Sequence, residues 1–234
     1  MFEPRIGLVA EGPTDYELIN AALKAILQRP FVLNLLHPES SLSVLGGGWG
    51  GVLKWCDAAS QRHVGSLDSD PTLALFDLLI IHLDADVALK QYTDCGPFVV
   101  KMAIEKGWPL LPCNQPCSPV ANTCASLQAV LLGWLGNAQP GAKTALCLPA
   151  QSTGAWMVAA LLNTAHPLCQ GLECNPEAEA GLAFLPMAQR VKSKSRIEYR
   201  KHAAAVERNW IDVKALCSQA GTFEQAVVAV LSGV

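Results

Sequence analysis

The stretch "LLIIHLDADVAL", residues 78–89, decides the fold. Extended upstream to Phe76, it is a nearly continuous apolar run that stops at Asp84, with Asp86 two positions on. A run of this kind is expected for a central strand covered on both faces, as in a parallel sheet. Carboxylates at the end of such a strand cost stability unless something compensates them. Residues i and i+2 of an extended chain point to one side, so Asp84 and Asp86 converge if the strand geometry persists through Ala85.

Working outward, the pattern alternates. Residues 5–10 read as a short strand ending at Glu11, and "GPTD" leads into a helix with apolar residues at helical spacing (Leu18, Ile19, Ala22, Leu23). Further strands are expected at 31–36 and 143–151, another within "WPLLPC" (108–113), and an edge segment in "SLSVLGGGWGG" (41–51). Helices are expected near 51–63, 97–106, 118–135 and 153–163. Alternating strands and helices imply an α/β fold with a mainly parallel, Rossmann-like sheet flanked by helices. Right-handed crossovers gather the strand C-termini on one edge, where such sheets bind ligands. Glu11, Asp84 and Gln151 each follow an expected strand. The character changes near residue 166, so the chain divides into a core, 1–165, and a basic, mostly helical C-terminal extension, 166–234, packed on that core.

Composition narrows the function. The 234 residues are 51% hydrophobic and 16% charged, which argues against disorder, and the net charge of −3 gives no global basic field for nucleic acid. The opening residues read as a strand rather than a secretory signal, and no apolar run reaches eighteen residues. The expectation is a soluble cytoplasmic protein without a membrane partner. Nine cysteines make a disulfide framework an unfavoured reading. Cys113/Cys117 and Cys169/Cys174 are only loosely compatible with zinc, and buried or free thiols are favoured. Walker A, serine-hydrolase and dinucleotide-binding patterns are all missing. "GGGWGGVLKW" (46–55) could cradle phosphate on backbone amides, although a flexible turn is the plainer reading. Trp49 could stack on a base, and His82 reads as a packed core histidine.

If strands 5–10 and 76–84 are neighbours, Glu11, Asp15, Asp84 and Asp86 cluster at one sheet edge. Like charges so close either take up protons or share a cation. Hard oxygen donors suit Mg²⁺ or Mn²⁺, which can activate water and neutralise a transferring phosphoryl group. "HLDADV" alone also fits a helix cap, a glycosyltransferase motif or a haloacid-dehalogenase phosphatase. The phosphatase motif normally stands on the first strand, and that reading leaves Glu11 unexplained.

"VAEGPTDYELI" followed by "LLIIHLDADVA" resembles the Toprim domain of topoisomerases, bacterial primases and OLD (overcoming lysogenization defect) nucleases. The resemblance spans residues 5–164 loosely and is specific at two short motifs. It is strongest to small stand-alone OLD-like proteins of bacterial antiviral defence. It implies a metal-dependent nuclease in phage defence or as a toxin effector, with Glu11 catalytic and Asp84 and Asp86 holding metal. Asp15 matches a second acidic position of OLD-like members. Such proteins often carry a later "E-A-W" signature; here "LPAQSTGAWMVAAL" keeps Trp156 but has Gly154 at the acidic position. That departure motivates an alternative, a non-catalytic sensor or partner subunit.

OLD-like nucleases also use a downstream lysine, for which "VKSKSRIEYRK" offers Lys192 and Lys194, with Lys194 preferred; a solvated basic helix explains the stretch equally well. Arg190, Lys192, Arg196, Arg200 and Lys201 supply a local positive surface for DNA or RNA phosphates. The resemblance also leaves room for an ATPase or other defence-system partner and for a homodimer.

Overall fold

The computed structural model describes residues 3–38, 46–187 and 189–232. The expected edge segment within 41–45 therefore lies outside the described residues.

Four parallel strands form the central sheet: β1 (Arg5–Val9), β2 (Val32–His37), β4 (Leu78–His82) and β6 (Thr144–Cys147), in the order β2-β1-β4-β6. Two short strands, β3 (Gly65–Ser66) and β5 (Ala138–Gln139), pair separately. All five residues of β4 are buried, as its unbroken apolar run requires. The 108–113 segment is not a strand; it runs irregularly, and "WPLLPC" carries Pro109 and Pro112, which lack the N–H a sheet ladder needs.

Helix α1 (Pro13–Leu27) begins with Pro13 in its first turn and turns Leu18, Ile19, Ala22 and Leu23 to the core. It packs on one sheet face with α5 (Gly154–Leu161). Helices α2 (Trp49–Arg62), α3 (Pro97–Lys106) and α4 (Ala121–Leu135) cover the other. The chain beyond 166 adds α6 (Ala178–Gly181), α7 (Arg196–Arg208), α8 (Trp210–Leu216) and α9 (Ser218–Leu231). These belong to the same core as α1 and α5: Trp156 lies edge-on to Trp210 and stacks on Phe223. Such aromatic pairs add about 0.5–1.5 kcal/mol beyond burial.

Cys117 and Cys174 form a disulfide, where the sequence reading favoured none. Cys56, Cys124, Cys147, Cys169 and Cys217 are buried thiols. Among the described residues, the one group with metal-holding geometry contains no cysteine. No helix there is long and apolar enough to cross a membrane.

Candidate metal centre

Strand register builds the site. β1 pairs with β4 so that Val9 faces Ile81, which brings Glu11 level with the residues leaving β4. Glu11 Oε1 accepts a hydrogen bond from the Asp84 backbone N–H at 2.8 Å. β6 pairs with β4 on its other side, His82 facing Cys147, and the loop after β6 returns Thr153 to the same edge. The Thr153 N–H donates to Asp84 Oδ1 at 3.1 Å, and its hydroxyl donates to Asp15 Oδ1 at 2.6 Å. Three carboxylates from two distant parts of the chain are thus tied together by one backbone amide and one threonine.

Each is anchored through a single oxygen. Glu11 Oε2, Asp15 Oδ2 and Asp84 Oδ2 accept no hydrogen bond from any described residue. Burial, with Asp84 beside it, pushes the Glu11 carboxyl well above the usual carboxylate range. Burial followed by Asp15 and Asp86 does the same to Asp84. A cation at this edge would relieve that repulsion.

His82 is more than a packed core residue. It is fully buried, with Nε2 2.9 Å from Asp84 Oδ1 and Nδ1 without a partner. With Asp84 ionised, its oxygen accepts and the imidazole donates from Nε2. Ligand atoms of Asp15, His82 and Asp84 lie within 4.8 Å of one another. This donor set of carboxylates with at most one imidazole could hold a metal ion.

Asp86 departs from the sequence reading. Extended geometry ends at Asp84, which caps a 3-10 turn over Ala85–Leu89. Asp86 sits within that turn, outside the Asp15–His82–Asp84 group, with its side chain 45% exposed and 3.5 Å from Lys90. It still lines the cleft of about 690 Å³ that Glu11, Asp15 and Asp84 share. Lys194 lines this cleft as well, on a turn where it takes a left-handed backbone conformation (φ 59°). Such a conformation is uncommon for a non-glycine residue.

The rest of the basic segment is divided. Lys192, Arg190 and Lys201 line a second depression of about 600 Å³. Arg196 and Arg200 both bond Glu17 Oε1, each at 2.8 Å at closest. They clamp α7 onto α1 rather than standing as free phosphate contacts. The glycine turn also has a structural task. Gly48, with φ 69°, donates its N–H to the Glu11 carbonyl at 2.8 Å and caps α2. Trp49 stacks on Trp134 at 6.1 Å while bordering the cleft.

Sequence reading missed Glu179. It lines the cleft and accepts hydrogen bonds from three hydroxyls: Ser152 to Oε2 at 2.7 Å, Ser193 to Oε1 at 3.1 Å, and Tyr199 to Oε1. Its local sequence, "NPEAEAG", carries no signal of this.

No family model, curated protein or solved structure matches the chain.

Proposed function

We propose that this protein is a Toprim-fold, divalent-metal-dependent nuclease that hydrolyses phosphodiesters of DNA or RNA. The observation that carries the reading is the meeting of Glu11, Asp15 and Asp84 in one cleft at the C-terminal edge of adjacent parallel strands, each with one oxygen anchored and the other without a hydrogen bond from the described residues. Asp84 and Asp15 would hold Mg²⁺ or Mn²⁺, with His82 orienting Asp84 from the buried side and Asp86 available at the rim. The cation would supply Lewis acidity toward the phosphoryl oxygens. Glu11, fixed through Oε1, presents Oε2 for proton transfer at the reacting oxygen. Lys194 places a positive charge on the cleft wall, where charge builds up on the phosphoryl group. A role in phage defence or as a toxin effector follows from the Toprim resemblance alone.

The test is cleavage of single- and double-stranded DNA and RNA with Mn²⁺ or Mg²⁺. The wild type is expected to cleave and the Asp84→Ala/Asp86→Ala double variant to be inactive. Equal activity in the two removes the proposed site. A wild type that binds neither metal nor nucleic acid at low salt is instead a non-catalytic partner subunit.

A further inference from the structure

Gly154 and Glu179 occupy one another's space. Gly154 opens α5, and its backbone is not in the left-handed region that favours glycine. Conformation therefore does not demand a glycine there. Space does: a Cβ at 154 would stand 2.2 Å from Glu179 Oε2 and 2.3 Å from its carboxyl carbon. The Glu179 carboxylate fills the volume that a side chain on the first residue of α5 would take.

That carboxylate is held in orientation from three directions. Ser152 reaches it from the start of α5, Ser193 from the turn carrying Lys194, and Tyr199 from α7. A carboxylate offers about four lone-pair sites. The hydroxyls use one on Oε2 and two on Oε1, which leaves one on Oε2, the oxygen nearest the 154 position. Glu179 lines the same cleft as Asp84 and Asp86, and its charge acts on both.

Building on the metal-dependent reading above, we propose that Glu179 is a further cation-binding carboxylate of this cleft, supplied from α6 in place of a side chain at Gly154. Hydroxyl donors that orient a carboxylate without neutralising it are the usual surroundings of a metal ligand. The shared volume separates this role from simple packing: with Glu179 cut back, an acid at 154 is expected to restore cation binding, whereas a packing role needs no acid at either position.

Isothermal titration with Mn²⁺ and cleavage assays on the full chain test this, with thermal unfolding as a check of the fold. Glu179→Gln keeps the size and loses the charge; Mn²⁺ affinity is expected to fall by at least about tenfold, the smallest loss typical when a ligand's hydrogen-bond partner is removed. Gly154→Ala alone is expected to lose affinity, since its Cβ displaces the Glu179 carboxylate without supplying an acid. Glu179→Ala/Gly154→Asp is expected to recover part of it, since the Asp carboxyl carbon stands one bond from the space that the Glu179 carboxylate leaves. Wild-type Mn²⁺ affinity in Glu179→Gln, or a folded double variant with no recovery, overturns the inference and leaves Glu179 as packing. Asp84→Ala separates the two levels. If it too binds Mn²⁺ like the wild type, the metal centre itself fails; if it alone loses binding, only the role of Glu179 fails.

Discussion

At the residue scale the site is held together at a cost. Asp84 is a mostly buried carboxylate with Asp15 close by, and its protonation is pushed upward by burial first and by neighbouring acids second. Such a group is retained at the expense of stability in the metal-free protein. The sign follows from linkage: an acid whose folded pKa is raised makes the folded state less stable as pH climbs from its unfolded value toward the raised one. Asp84→Asn removes the charge and keeps the Oδ1 acceptor for Thr153. In EDTA at neutral pH the variant is expected to melt a few degrees above the wild type, since ~1 kcal/mol moves the midpoint of a domain this size by about 2–4 °C. Mn²⁺ should raise the midpoint of the wild type and leave the variant unmoved. A variant that melts lower than wild type in EDTA would show that Asp84 is repaid by its hydrogen bonds instead.

Elements carry a second balance, between α1 and α7. Glu17 is 6% exposed on the side of α1 that α7 covers. Burial alone would raise its pKa, but bonds from Arg200 and Arg196 outweigh that and hold it below the usual value. A lowered acid contributes stability that is present above its unfolded pKa and lost as pH falls through the folded one. Glu17→Gln is therefore expected to cost about 1.5–3 kcal/mol near neutrality, the range for hydrogen bonds to charged groups. Its low end applies, because both guanidiniums keep water. The difference from wild type should shrink below pH 4, which chemical denaturation across pH 3–7 would measure. A gap constant over that range would assign the loss to shape rather than charge. The same elements show what a sequence can and cannot disclose. β1 and β4 were legible because their apolar runs are local, and Glu11 and Asp84 were legible because they end those runs. Asp86 reaches the cleft from a turn rather than from an extended strand end, because the backbone leaves extended geometry at Ala85. The Glu17 clamp and Glu179 were invisible because each contact depends on how a distant helix packs: 179 residues separate Glu17 from Arg196, and 27 separate Ser152 from Glu179.

Over the whole molecule, charge is sparse and unevenly spent. The net charge is −3, and two of the six cations in the basic segment are committed to Glu17. Arg190 also donates to the Leu185 carbonyl at 3.1 Å. What remains to face a polyanion is the turn carrying Lys192 and Lys194, with Lys201 and the outer part of Arg190. The turn borders both depressions: Lys194 lines the acidic cleft, and Lys192 the second hollow. A nucleic-acid strand crossing the turn would have few phosphates to neutralise. Binding in Ca²⁺ should then be weak and shallow in salt, with a log–log slope of about −2 to −4 at roughly 0.7–0.9 per phosphate contact. Lys201→Ala is expected to reduce that slope by about one and to weaken binding uniformly across sequences. Arg200→Ala, which removes one of the two guanidiniums that hold α7 to Glu17, is expected to lower the melting temperature more than the slope. A slope steeper than −6, or one that Arg200→Ala changes as much as Lys201→Ala does, would place the phosphate path along α7 instead of across the turn at Lys194.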